Sequence, residues 1–192
     1  MATAPIRTKR WTRLEYERLV GLGAFGPGDR IELVGGDLLV REPQGSPHIT
    51  AIGLAEDALR AAFGSAWHIR TQGPVALDDE SEPEPDVAVV SGSRRHYAAS
   101  HPTQPVLLVE VADTSLVSDR EWKGSLYARA RVPEYWIVNL ADRGLEVYRD
   151  PRPAADAAFG WRYTAIRRLS SSDIVAPLGA PEARIAVADL LP

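Results

Sequence analysis

The apolar positions of this chain fall into short runs separated by glycine, proline and acidic turns, with three longer stretches that carry helical spacing. Ile31-Glu32-Leu33-Val34, a Gly35-Gly36 turn and Leu38-Leu39-Val40 predict a β-hairpin. Trp67 to Leu77 predicts a strand interrupted at Gly73-Pro74, and Asp86 to Val90 a short apolar one. Val106 to Val111 is unbroken, the pattern of a strand buried on both faces. Glu134 to Asn139, a turn at Ala141-Asp142-Arg143-Gly144, Leu145 to Tyr148 and Trp161 to Leu169 continue the series, and Ile174 to Leu191 reads as short edge pieces.

The helical stretches carry their own punctuation. Thr12-Arg13-Leu14-Glu15 has capping-box spacing and opens a short helix that stops near Gly21-Leu22-Gly23. Ser46, as cap, and Pro47 open a second that runs to about Phe63, with Gly64 just past its end. Ile52, Ala55 and Leu59 share one face of it, and His48 falls on the same line. A third is capped by Ser118 or Asp119 and ends near Arg131, because Pro133 disfavours helix at Val132. At about 100° per residue, Trp122, Leu126, Asp119, Ala130, Lys123 and Tyr127 form the face that packs on the sheet, opposite Glu121, Ser125 and Ala128. Trp122, Tyr135 and Trp136 are therefore expected in the core.

The rest reads as connection. Residues 1–10 form a loose arm, Gly26-Pro27-Gly28-Asp29 a turn, Asp78 to Pro85 an acidic solvated linker, and Arg152 to Gly160 an irregular loop. Ser91 to Gln104 is a loop with a basic knot at Arg94-Arg95-His96. The order of elements predicts an α/β or α+β domain with a mixed sheet flanked by helices, and 192 residues without an internal repeat suit one domain.

Composition narrows the chemistry. The absence of cysteine excludes disulfides, thiolate zinc sites and a cysteine nucleophile, and fits a reducing cytoplasm. No apolar run approaches a membrane span, and the start lacks the apolar core of a signal peptide, so a cytoplasmic protein is expected. A net charge of −4 argues against broad capture of nucleic acid but permits a local basic site.

Two acids stand where the pattern calls for apolar residues. Asp86 begins one apolar strand, and Glu110 ends the most buried one. A carboxylate there is costly unless paired. Two such groups on neighbouring strands make an oxygen-lined site suited to Mg²⁺ or Mn²⁺, unless Asp86 caps a turn and Glu110 meets an arginine at the sheet edge. Lys123 lies near the middle of the inward helical face, where an ammonium needs a carboxylate, a phosphate or a route to water. An i,i+4 pair with Asp119 combined with snorkelling would also answer it. Glu32 is either a further carboxylate or a solvent-facing strand residue. His48 is either a contact to the site or a hydrogen-bonded core histidine. Arg94 and Arg95 either touch phosphates or belong to a solvated loop.

The ordered set Glu32-Leu33-Val34-Gly35-Gly36-Asp37-Leu38, Ser46-Pro47-His48, Pro85-Asp86-Val87, Leu108-Val109-Glu110-Val111, the Asp119/Lys123/Tyr127 helix and Val132-Pro133-Glu134-Tyr135-Trp136-Ile137-Val138 resembles the Uma family of putative restriction endonucleases, a branch of the PD-(D/E)XK nuclease superfamily. The resemblance covers about residues 12 to 150, with the strands at 161–192 as an extension. It implies a nuclease core in which Asp86, Glu110 and the Val111 backbone carbonyl hold one or two divalent ions, Lys123 is the active-site lysine, and Glu32 and His48 are additional candidates. The superfamily places its lysine two residues after the glutamate; Ala112 stands there in this chain, and the helical Lys123 takes the role. The function implied is Mg²⁺- or Mn²⁺-dependent hydrolysis of DNA by a homodimeric endonuclease. The alternatives are a catalytically inactive nuclease fold that binds DNA or regulates, and a phosphodiesterase with another substrate.

Overall fold

The computed structural model describes residues 8–26, 28–41 and 43–192. Residues 1–7 of the expected arm and Pro27 of the expected turn lie outside the described residues. Thr12 caps the first helix, α1 (Arg13–Gly21): its hydroxyl accepts from the Glu15 amide while the Glu15 carboxylate accepts from the Thr12 amide. The hairpin follows as β1 (Ile31–Val34) and β2 (Asp37–Val40). Gly35 and Gly36 both take positive φ in its turn, and a Cβ on Gly35 would overlap the Phe159 ring. Helix α2 (Ser46–Phe63) starts one residue earlier than expected, with Gly45 as cap and Ser46 already helical, and ends at Gly64 with φ 68.

A six-stranded mixed sheet runs in the order β3 (Trp67–Thr71), β4 (Val87–Ser91), β5 (Leu107–Ala112), β6 (Glu134–Asn139), β7 (Gly144–Pro153), β8 (Trp161–Ser170). All neighbours are antiparallel except β5 and β6. A parallel pair needs a crossover, and here it is a helical run made of α3 (Leu116–Ser118), a π turn (Asp119–Lys123) and α4 (Gly124–Arg129). The strands β9 (Ile174–Val175) and β10 (Ile185–Ala186) pair separately.

Strand alternation divides the core into two layers. Val87, Val89, Val109, Val111, Trp136 and Val138 pack with Ile52, Ala55 and Leu59 of α2 and with the C-terminal Val187 and Leu190. Ala88, Leu108, Ala112, Tyr135 and Ile137 pack on the other side with Leu126 and Tyr127 of α4 and with Val34 of the hairpin. Among the described residues, no helix is long and apolar enough to cross a membrane.

Four further expectations are corrected. The strand from Trp67 stops at Thr71, because Gln72 turns the chain with φ 48. The segment Asp78 to Pro85 is no solvated linker: Ser81 and Glu82 are buried, the Glu82 amide donates to the Leu33 carbonyl at 2.8 Å, and the Gly36 amide donates to Glu80. It covers the hairpin, whose buried backbone groups need partners. Strands β7 and β8 extend to Pro153 and Ser170, so the irregular loop shrinks to 154–160.

The crossover helix is the fourth. Ser115, rather than Ser118 or Asp119, caps it. Within it the Gly124 amide reaches the Asp119 carbonyl, a five-residue step that widens the turn. Side chains beyond the step no longer follow the regular wheel. Ser125 and Ala128 are buried, Ser125 donating to the Trp161 carbonyl at 2.7 Å, while Trp122 leaves the core at 42% exposure. Tyr135 and Trp136 are buried as expected.

The buried Glu82 sets a pH dependence. Burial, reinforced by Glu17, pushes its carboxyl up to about 7 from an ordinary 4.5. A carboxyl that holds its proton more tightly when folded lowers stability as pH rises between those values. Glu82→Gln is therefore expected to stabilise the fold by about 1 kcal/mol at pH 8 and by nothing at pH 4. Urea melts at the two pH values check this, and equal shifts at both would refute it.

Candidate active site

Glu110 occupies a β5 position between Val109 and Val111, on the side of Leu108, Ala112 and Tyr127. It is 2% exposed. Two donors meet one of its oxygens: Lys123 Nζ at 3.0 Å and the Tyr127 hydroxyl at 2.6 Å, both on Oε1. That leaves Oε2 for a further ligand. Lys123 Nζ also stands 3.5 Å from Glu32 Oε1, while Glu32 Oε2 accepts from the Glu84 amide at 2.9 Å. The segment covering the hairpin thus holds Glu32 inward. Asp119, buried one π turn before Lys123, is bonded by Ser115.

Asp86 immediately precedes β4, and its environment follows from sheet register. The last β4–β5 partners are Val87 and Val109, so Val111 has no strand opposite it on that edge. Its amide donates instead to Asp86 Oδ2 at 2.8 Å. Oδ1 accepts from Arg41 Nη2 at 2.8 Å and from Gln44 at 3.2 Å, and His48 Nε2 lies 3.3 Å from Oδ2. Arg41 also donates to the Glu84 carbonyl at 2.8 Å. One carboxylate is thereby fixed from the strand, the hairpin exit and the first turn of α2.

The electrostatics of the cluster are uneven. Burial opposes the charged form of Asp86, yet His48, Arg41 and the Val111 amide hold its pKa at about 2. Burial, with Asp86 and Asp119 adding to it against the pull of Lys123, pushes Glu110 up to about 8. Burial also works against the Lys123 ammonium, but Glu110, Glu32 and Asp119 outweigh it and raise its pKa. Asp86, Glu110, Glu32 and Asp119 face two fixed cations, Arg41 and Lys123, and the excess of acids is met in part by the proton that Glu110 keeps up to about pH 8.

The oxygen donors here are of the kind that suits a hard divalent ion, which would take the place of the Glu110 proton. Among the described residues, no group of three or more His, Asp or Glu side chains is placed to hold a metal ion by itself. Mg²⁺ does not ask for one, since it keeps several waters and binds through one or two carboxylates and substrate oxygens.

A cavity of about 360 Å³ gathers Asp86, Glu110, Val111, Lys123, Glu32 and His48. Arg94 and Arg95 do not join them: both are exposed on the 3₁₀ turn Arg94–Tyr97, which follows the opposite end of β4 from Asp86. Arg41 and Gln44 line the same cavity and escape sequence reasoning. A lone arginine between a strand end and a loop carries no signal of burial.

The family model Uma2, described as "Putative restriction endonuclease", matches residues 14–188, from α1 to the C-terminal pieces. No curated protein matches the chain. The crystal structure of "a putative nuclease belonging to DUF820" from Anabaena variabilis superposes with a TM-score of 0.68 at 12% identity, over 94% of this chain and 97% of that one. At that identity the likeness is one of fold.

Proposed function

This chain belongs to the Uma2 family of restriction-endonuclease-like proteins, and on that premise we propose that it is a cytoplasmic endonuclease that hydrolyses DNA phosphodiester bonds with Mg²⁺ or Mn²⁺. The observation that carries the reading is the convergence of Lys123 on Glu110 and Glu32 in the cavity that Asp86 also lines. Asp86, Glu110 through its Oε2 and the Val111 carbonyl would hold the ion, which when bound supplies an activated water and charge neutralisation at the phosphoryl group.

The protein's own share is positional. Arg41, Gln44, His48 and the Val111 amide set the plane of the Asp86 carboxylate, and Tyr127 sets that of Glu110. Lys123 keeps its proton among three acids, so it works as a donor to the attacking water and to charge growing on the phosphate, not as a base. One such site cuts one strand. A homodimer would present two.

One observation favours a second reading, an inactive nuclease fold that binds DNA. Arg41 pairs with Asp86 and Lys123 with Glu110, and hydrogen bonds from the Val111 amide and Tyr127 complete them, so both acids are held without a metal. Incubation with supercoiled plasmid in Mg²⁺, Mn²⁺ or EDTA separates the two. The endonuclease nicks in the first two and not in the third; intact plasmid throughout, over varied sequences, leaves the binding fold.

A further inference from the structure

We infer that Trp122 forms a stacking site for an unpaired nucleobase beside the phosphate held at Lys123, so that the strand being cut is engaged with a base out of its stack. The inference rests on the endonuclease reading of the neighbouring cavity and names the form of DNA it takes. Trp122 is 42% exposed and lines two cavities, the acidic one and a second of about 580 Å³. Its Cα is one residue, about 3.8 Å, from that of the buried Lys123. The π turn therefore points one residue into the acid cluster and leaves the next ring at its rim.

The second cavity is built for a flat, uncharged guest. Trp122 and Trp161 are its half-open aromatic walls, and the Phe159 ring props Trp122 edge to face, with centroids 5.8 Å apart at 90°. Its arginines are already answered, Arg120 by Glu146 and Arg162 by Asp156, and Glu121 adds negative charge. Phosphate gains little there. A base offers a π face, and stacking tolerates any sequence. In a duplex both faces of each base are covered, so only an extruded or single-stranded base can enter.

The test uses binding in EDTA, where no cleavage occurs, followed by tryptophan fluorescence and anisotropy on a labelled oligonucleotide. The single strand is expected to quench the wild-type fluorescence and to bind more tightly than its own duplex. Trp122→Ala should weaken single-strand binding by roughly five- to a hundred-fold, while Trp122→Phe retains most of the affinity and loses the share of the quench that Trp122 contributes beside Trp161. The ring is on the surface, and circular dichroism verifies that both variants fold. Equal affinity of wild type and Trp122→Ala, a quench undiminished in Trp122→Phe, or no binding of either oligonucleotide overturns the stacking site. Metal-dependent nicking alongside any of these keeps the enzyme and removes the stacking site. Quenching without nicking on any plasmid does the reverse.

Discussion

Asp86→Ala is expected to abolish metal-dependent nicking, a fall of roughly a thousand-fold or more, and to destabilise the protein at the same time. The substitution removes a carboxylate that would hold the ion, and it also strands Arg41 and His48, whose side chains are only 10% and 12% exposed, and the Val111 amide. Breaking one side of a buried ion pair costs about 3–5 kcal/mol. Asp86→Asn separates the effects: it keeps acceptor oxygen for Arg41 and the Val111 amide, and so more of the stability, but not the charge. Urea melts and plasmid nicking are measured on both variants. Undiminished nicking by folded Asp86→Ala would mean the activity belongs to something else.

Lys123→Ala should carry the second large effect. It leaves Glu110, Glu32 and Asp119 facing one another without their ammonium, at a cost of about 3–5 kcal/mol. In EDTA that cost should be greatest above pH 8 and should shrink towards pH 5. The sign follows from Glu110: its pKa is already raised from 4.5 to about 8 by burial, so the folded state binds that proton more tightly and stability falls as pH rises between those values. Without Lys123 to oppose it, the slope steepens. Lys123→Met combined with Glu110→Gln should recover about 1–3 kcal/mol relative to the sum of the single changes and no nicking. A pH-independent loss in Lys123→Ala would show that the acids do not feel one another through the amine.

Much of this site is legible in the sequence, because Asp86 and Glu110 break apolar strand patterns that otherwise admit no charge. The ordered motifs were enough to suggest the family. Glu32 remained ambiguous because alternation with Ile31 and Leu33 aims it outward. Its partners are Lys123 of the crossover helix and the Glu84 amide, the latter in a segment whose acids and prolines look solvated. Those prolines lack amide donors and are tolerated at an edge. Arg41 gives no signal, since a lone arginine between a strand end and a loop reads as exposed. Trp122 escapes the wheel because a constant pitch assumes that every turn of the helix is alike.

The five-residue turn has a consequence for how this chain can vary. It behaves as a one-residue insertion in an otherwise regular helix. A variant shortened by one residue between 119 and 123 would keep a helix of ordinary pitch and deliver a different side chain to the acids. The amine that meets the acids is mounted on a helix defect, so a single codon gained or lost there would switch the cavity's lining while leaving the scaffold standing.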